Sequence, residues 1–164
     1  MRKPTTADGD LLLRLYEMRR EPELRRARAW FLTEFKATTW AEIKSRYLTH
    51  TDEDRWFRMT TSYWEMVGTL VNRGVLQGEL FFDHTGEDIV TWERCKAWIA
   101  EARADIRATY LYQFERLVTG HLAFRKRTIA AYLGSGDGRA ATGNGKPGAA
   151  RKAKSRRPRA KAHR

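Results

Sequence analysis

The sequence predicts an all-α protein with a single bundle-like domain of five to seven helices, followed by a disordered, basic C-terminal tail. Three observations predict this fold class. Apolar residues recur at spacings of three and four, as on helices, rather than in the alternation of strands. All nineteen aromatic residues lie between Tyr16 and Tyr132, which supplies a core. From Gly134 to Gly148 there are six glycines, and no aromatic, Leu, Ile or Val residue follows Leu133.

These shifts in composition set the expected boundaries. We expect a flexible N-terminus over residues 1–9, a helical domain over 10–133, and a disordered Gly-rich linker with a Lys/Arg-rich tail over 134–164. The charge changes at the same place. Residues 1–133 carry 22 Lys and Arg against 19 Asp and Glu, whereas the last segment carries 10 against 1, so it holds most of the net charge of +12.

The first two predicted helices are separated at Pro22, which suits the first turn of a helix. The first helix covers about Asp10 to Arg20. Its expected inward residues are Leu11, Leu12 and Tyr16, with Leu15 as a further candidate. The second helix carries an apolar stripe at spacings of three and four, formed by Leu24, Ala27, Phe31 and Phe35.

Two cap signals open the next helices. Thr39 with Glu42 has the spacing of a capping box and predicts a short helix through Leu48. Thr51 followed by three acidic residues predicts a long helix that ends before Gly74, a glycine suited to a left-handed C-terminus. Its stripe is Phe57, Thr60, Trp64, Val67 and Val71, widened by Trp56, Tyr63 and Leu70. So wide an apolar face indicates a central helix.

A short apolar run, VLQGELFF over residues 75–82, fits a helical turn or a strand. We interpret it as a short helix, because no partner strand is visible elsewhere. Thr85 with Asp88 then starts another helix. The stripe of that helix is Ile89, Trp92, Cys95, Ile99, Ala102 and Ile106.

The final helix begins at Tyr110 or Leu111 and extends to Leu133. Its apolar face includes Phe114, Leu117, Val118, His121, Leu122 and Ile129. No Pro or Gly interrupts residues 87–119, so two separate helices and one long bent rod both remain open.

A family resemblance follows from the segments TSYWEMVGTLVNRGVLQGELFFDHTGEDIVTWERCKAWI and LYQFERLV. They combine a Trp64–Glu65 pair, an apolar stretch ending in glycine, a V-L-x-x-E-L turn and a closing Phe114–Glu115 pair. Over about residues 10–125 the chain resembles a bacterial domain-of-unknown-function family of small helical proteins. The resemblance implies an all-helical fold, no established activity and no catalytic residues to carry over.

Cellular location is inferred from what the sequence lacks. Some relatives in that family have an apolar N-terminal anchor, but MRKPTTADGD contains no apolar segment, and LLLRLYEM is too short and too charged to span a bilayer. With Cys95 as the single cysteine there is no internal disulfide, which favours a reducing compartment. We therefore expect a cytoplasmic protein.

Most residues with reactive side chains have structural interpretations. The four histidines show no metal-ligand spacing, so we expect no metal and no cofactor. Cys95 and His121 lie on apolar faces and are interpreted as core residues. The GSGDG segment at Gly134 follows a helix and opens none, so it is interpreted as a linker rather than a phosphate loop. The prediction is that the protein is not an enzyme.

Glu65 and Glu115 are the candidate buried carboxylates, since each follows a large aromatic residue in an apolar helix. A buried carboxylate needs a cationic or hydrogen-bonding partner, and Arg73, Arg94 and Arg103 are candidates. A paired-carboxylate acid/base site or a di-metal site is the alternative. The run RREPELRRAR is interpreted as a solvated helix face with internal ion pairs, or as a second basic patch.

The basic tail gives the strongest functional signal. The fourteen residues RKAKSRRPRAKAHR contain eight cations: Arg151, Lys152, Lys154, Arg156, Arg157, Arg159, Lys161 and Arg164. Such a segment can contact DNA or RNA phosphates without reading bases. The alternative partner is an anionic membrane surface. The body of the protein could also form homo-oligomers through an aromatic-rich surface.

Overall fold

The computed structural model describes residues 2–136, which form eight α-helices and, within that range, no strand. The helices are α1 (Thr6–Arg20), α2 (Pro22–Thr33), α3 (Trp40–Arg46), α4 (Asp52–Asn72), α5 (Gly78–Phe82), α6 (Glu87–Glu93), α7 (Ile99–Asp105) and α8 (Tyr112–Gly136). The all-helical prediction is confirmed. The predicted number of helices, five to seven, is too low, because the uninterrupted stretch after Gly86 divides into α6, α7 and α8.

The N-terminal end of α1 includes residues that the sequence analysis placed in a flexible segment. The helix begins at Thr6 rather than near Asp10, and Thr5 and Asp8 form a complete capping box. Asp8 is buried and accepts hydrogen bonds from Arg2 and from the backbone N–H of Gln77, at 2.8 Å. The Arg2 guanidinium and the Thr5 hydroxyl hold the pKa of the Asp8 carboxyl well below its usual range. Asp8 therefore ties the start of α1 to the chain before α5.

The buried face of α1 differs from the predicted one. Leu15, the further candidate, is buried, whereas Tyr16 is 56% exposed. Leu11 and Leu12 are half-buried against the core. The expectation for Tyr16 was wrong because neighbouring positions on a helix are 100° apart, and it is Leu15 that belongs to the core.

The centre of the fold is formed by α4, which packs against α8 on one side and α2 on the other. The predicted α2 stripe of Leu24, Ala27, Phe31 and Phe35 is buried throughout, and so are Phe57, Thr60, Trp64 and Val67 of α4. The ring of Trp64 stacks on Phe114 with centroids 5.8 Å apart. At the end of α4, Gly74 has a φ of +71°, as its predicted role in stopping the helix requires.

The two predicted N-terminal caps are formed only in part. The Thr39 hydroxyl accepts the N–H of Glu42 at 3.2 Å, but the Glu42 carboxylate accepts the N–H of Thr38 rather than of the cap residue. The helix ends at Arg46, two residues before the predicted end. Thr51 is the N-cap residue of α4, yet its side chain makes no capping hydrogen bond.

The break between α6 and α7 lies at residues 94–98, where the chain forms turns. The guanidinium of Arg94 donates hydrogen bonds to the backbone carbonyls of Leu32 and Phe35, and the indole N–H of Trp98 donates to the Arg94 carbonyl at 2.8 Å. These contacts reach across to α2, so the break is stabilised by tertiary structure. Gly86, rather than Thr85, is the N-cap of α6.

Most aromatic side chains are in the core, where rings from α2, α3, α4 and the turn before α7 form a continuous cluster. The rings of Phe31 and Phe35 stack with centroids 4.7 Å apart, and Trp40 stacks on Trp98 at 5.9 Å. Among the residues whose exposure is described, the exposed large aromatic side chains are Tyr16, Tyr112 and Tyr132. An aromatic-rich surface for self-association is thus limited to these tyrosines and to partly buried rings such as that of Trp56.

Candidate functional site

The C-terminal part of α8 extends beyond the packed body. Every residue from Arg125 to Gly134 is exposed, whereas Phe114, Leu117, Val118 and His121 earlier in the helix are buried. Arg125, Lys126 and Arg127 lie on this exposed part. Arg127 approaches Glu79 at 3.3 Å with both side chains well exposed, a geometry that contributes little to stability. This part of the helix therefore presents cations to solvent.

The eight cations predicted to bind nucleic acid, Arg151, Lys152, Lys154, Arg156, Arg157, Arg159, Lys161 and Arg164, lie outside the described residues. More than half of the acidic side chains in the described part of the chain have an ionic partner. Among the described residues, ten acidic side chains lie within 4.0 Å of an Arg or Lys nitrogen, out of the 19 in residues 1–133. Asp88 is paired with a histidine. Most carboxylates of the body thus already have a partner within it.

Glu65 holds the start of α8. Its two carboxylate oxygens accept the backbone N–H groups of Gln113 and Phe114 at 3.2 and 2.8 Å. These are among the N–H groups of the first turn that lack an intrahelical acceptor, and a negative charge is favoured there by the helix dipole. The partner of Glu65 is therefore the backbone of α8, and none of the three candidate arginines.

Two further residues of α4 contact the same turn of α8. Asn72 donates from its side-chain amide to the backbone carbonyl and the side-chain oxygen of Gln113, both at 2.9 Å. Gly68 lies between Glu65 and Asn72 on one face, and a Cβ there would lie 2.6 Å from the carbonyl carbon of Gln113. The glycine thus allows the backbones to approach, and the two polar residues fix the register. Neither Gly68 nor Asn72 was predicted from the sequence, although the E-x-x-G-x-x-x-N spacing places both residues and Glu65 on one helix face.

Glu115 pairs with Arg103, one of the candidate arginines, at 2.8 Å. Arg103 also donates from Nε to the backbone carbonyl of Tyr110, so it braces the turn between α7 and α8. The carboxylate of Glu115 is 39% exposed. The two candidate carboxylates therefore have separate partners: Glu65 binds backbone N–H groups, and Glu115 binds a guanidinium.

The arginine run at the α1–α2 corner is divided between the surface and a part-buried ion cluster. Arg19 and Arg28 both bind the carboxylate of Glu87, at 2.7 Å for Arg19, and the three side chains are only 15–18% exposed. Burial by itself would raise the pKa of Glu87, but the hydrogen bond from Arg28 and the charges of both arginines lower it below its usual value. The remaining arginines, Arg20, Arg25 and Arg26, are exposed as the solvated-face interpretation predicts.

His121 and Asp88 form a pair in the interior. Both side chains are fully buried, and His121 Nδ1 lies 2.8 Å from a carboxylate oxygen of Asp88. The ring of Phe82 stacks on His121 with centroids 4.7 Å apart. The pair joins α6 to α8, consistent with the interpretation of His121 as a hydrogen-bonded core histidine.

Cys95 is fully buried, and burial strongly raises the pKa of its thiol. Its Sγ lies 3.5 Å from the backbone carbonyl of Thr91. Within residues 2–136, no group of three or more His, Cys, Asp or Glu side chains is arranged to hold a metal ion. In the same range, no helix has both the length and the apolar character needed to cross a bilayer.

Together, the eight helices of residues 2–136 enclose an aromatic core, and ion pairs join several of their junctions. The family described as "Domain of unknown function (DUF4760)" matches residues 4–120, and the chain belongs to that family. The family resemblance predicted over about residues 10–125 is thereby confirmed. No curated protein and no solved structure matches the chain.

Proposed function

We propose that this protein is a non-catalytic helical module whose basic C-terminal segment binds nucleic acid without sequence preference. The observation that supports this proposal is the uneven distribution of charge along the chain. Carboxylates of the body are mostly paired within the body, whereas eight cations fall within residues 151–164. A cluster of cations at this density attracts phosphates, and the binding of phosphates releases condensed counterions.

The exposed end of α8 supports the same proposal. Arg125 and Lys126 are exposed, so this part of α8 adds cations that are accessible to phosphates. The segment lacks aromatic side chains, so it has no platform on which to stack bases. We therefore expect contact with phosphates, and equal affinity for duplexes of different sequence.

The experiment compares three full-length proteins for binding to fluorescent DNA duplexes and RNA. The first is the natural chain. The second carries Arg151→Gln, Lys152→Gln, Arg156→Gln and Arg157→Gln. The third, a matched control, loses the same charge from exposed positions of the body through Arg14→Gln, Lys36→Gln, Arg73→Gln and Arg107→Gln. Light scattering on the same samples reports any self-association.

The proposal predicts that the tail variant binds much more weakly and that the body variant binds nearly as the natural chain does. Each phosphate contact contributes about 0.9 to the slope of log K against log salt for duplex DNA, so the tail variant should lose about three to four from that slope. Equal losses in the two variants would show that overall charge, and not the tail, drives binding. No binding by the natural chain at low salt would overturn the proposal.

A second candidate, association with an anionic membrane, is favoured by one feature of α8. Leu122, Ile129 and Leu133 are 44, 58 and 65% exposed and lie on one helix face, at spacings of seven and four. Arg125 and Lys126 flank that face. A basic amphipathic helix of this kind can lie in a membrane interface.

Flotation with vesicles distinguishes this candidate from the first. Membrane association predicts that the full chain floats with vesicles containing anionic lipid and does not float with neutral vesicles. It also predicts that Ile129→Glu abolishes flotation. The substitution removes no cation and adds one negative charge, so it should weaken DNA binding no more than the loss of a single cation does. Absence of flotation on anionic vesicles would exclude the membrane candidate and leave the nucleic-acid proposal intact.

A further inference from the structure

A cavity of about 370 Å³ opens between α1, the middle of α4 and the α5–α6 connection. Its apolar wall includes Leu12, Leu13, Leu15, Tyr16 and Phe81. Its polar lining is formed by Arg19, Tyr63, His84 and Thr85. This volume lies within the range of small-molecule sites, and an apolar wall with a few polar groups is their usual composition.

The wall explains an anomaly of α1. Leu13 is 63% exposed and Tyr16 is 56% exposed, although both are large apolar side chains. Both line the cavity, together with the half-buried Leu12. An apolar ligand in the cavity would cover these side chains, which the helices themselves leave in water.

Arg19, which lines the cavity, carries an unused hydrogen-bond donor in its guanidinium. Arg19 donates to the Glu87 carboxylate at 2.7 Å and to the Thr85 hydroxyl at 3.3 Å, but its buried Nε–H has no acceptor among the described residues. The hydroxyl of Tyr63 already donates to the Leu15 carbonyl at 3.2 Å. The unpaired donor is therefore the Nε–H of the Arg19 guanidinium, which is a cation. A buried donor without an acceptor destabilises the fold.

The charges of the ion cluster around this donor are also unbalanced. Arg19 and Arg28 share the single carboxylate of Glu87, so the part-buried cluster carries one net positive charge. A second carboxylate would balance the cluster, and a carboxylate oxygen is also the best acceptor for a guanidinium N–H.

We propose that the cavity binds an aliphatic monocarboxylate. The aliphatic chain would lie against Leu12, Leu13 and Tyr16, and the carboxylate would pair with the exposed part of the Arg19 guanidinium. The single net charge selects a monoanion, and the apolar wall excludes small hydrophilic anions. This site is separate from the basic tail, and it does not depend on the proposed nucleic-acid binding.

The test is a calorimetric titration of the full-length protein with decanoate and, as an uncharged match, decanol. One site of the natural chain should bind decanoate, and it should bind decanol about tenfold or more weakly, the difference expected for a charged hydrogen bond. Arg19→Met should abolish the preference for the acid. Leu13→Glu should weaken decanoate binding at least tenfold by placing a like charge in the wall, whereas Val90→Glu, an exposed apolar position that does not line the cavity, should leave it unchanged.

Several results would overturn the proposal. These are no saturable binding of decanoate, equal binding of decanoate and decanol, or equal effects of Leu13→Glu and Val90→Glu. Loss of binding in the four-site tail variant would show that decanoate binds the tail instead. Because Arg19 also pairs with Glu87, its variant could unfold; the Leu13 and Val90 variants alter exposed positions and decide the question on their own.

Discussion

At the scale of single residues, Gly68 determines how closely α4 and α8 approach. Its missing side chain leaves the Gln113 backbone in contact with α4, where Glu65 and Asn72 bind it. Gly9, in α1, has no such role, since a Cβ there would meet nothing within 4 Å. The two helical glycines therefore form a matched pair for experiment.

Gly68→Ala should lower the free energy of unfolding by about 1 to 3 kcal/mol, because backbone atoms of α8 cannot yield as a flexible side chain can. Gly9→Ala should raise it by about 0.5 to 1 kcal/mol, because alanine favours the helix and meets no obstacle. Urea unfolding of both variants measures the difference. A neutral or stabilising Gly68→Ala would contradict the close approach of α4 and α8.

Cys95 should be inert in the folded protein. Because Cys95 is fully buried, a reagent cannot reach it. Because burial raises the pKa of the thiol, the reactive thiolate does not form at neutral pH. A thiol reagent at neutral pH should label the denatured chain fully and the native chain only at the rate of unfolding. Rapid labelling under native conditions would mean that Cys95 is accessible.

At the scale of elements, the helices meet through polar contacts that come from distant parts of the chain. Glu65 of α4 holds the start of α8, Asp8 holds the turn before α5, and Glu87 of α6 binds the α1–α2 corner through Arg19 and Arg28. Each of these carboxylates is at or near a helix terminus or binds one. The junctions are thus set by side chain to backbone and ionic contacts as well as by apolar packing.

The Glu87 cluster should contribute to stability in a pH-dependent way. Glu87→Gln leaves Arg19 and Arg28 part-buried without a carboxylate and should cost about 3 kcal/mol near neutral pH. Because the folded-state pKa of Glu87 lies below its usual value of 4.5, its stabilisation is present above that pH and is lost as pH falls through the lower folded-state value.

Unfolding free energies at several pH values test this account. The gap between the natural chain and Glu87→Gln should be widest near neutral pH and should narrow below about pH 4.5. Glu17→Gln is the control, since Glu17 is exposed on α1 and has no ion pair among the described residues. A gap of equal size at all pH values would show that the ionised carboxylate is not what stabilises the cluster.

Some elements of the structure could be predicted from the sequence and others could not. The α2 stripe and the stop at Gly74 could be predicted, because spacing and left-handed backbone are local properties. The break between α6 and α7 could not, since Arg94 at this break binds the carbonyls of Leu32 and Phe35, which are distant in the sequence. The partner of Glu65 could not be predicted either. The apolar sequence around Glu65 indicated that it needs a partner, but no sequence pattern shows that backbone N–H groups of a distant helix fill that role.

At the scale of the whole molecule, the chain separates a paired, nearly neutral body from a basic C-terminal segment. Residues 1–133 carry 22 basic and 19 acidic side chains, and many of these bind each other. The remaining residues carry 10 basic side chains against 1 acidic. The proposed function depends on this distribution of charge, and the distribution itself can be read from the sequence.

The most direct test of that claim is the salt dependence of duplex binding by the full chain, measured by fluorescence anisotropy. If about six cations of the tail contact phosphates, log K should fall with log salt with a slope near −5, and affinity should drop about a thousandfold between 50 and 200 mM salt. The four-site tail variant should show a slope near −1 to −2, and the four-site body variant should keep the natural slope. A natural chain whose affinity does not change with salt, or a tail variant that retains the full slope, would contradict the account.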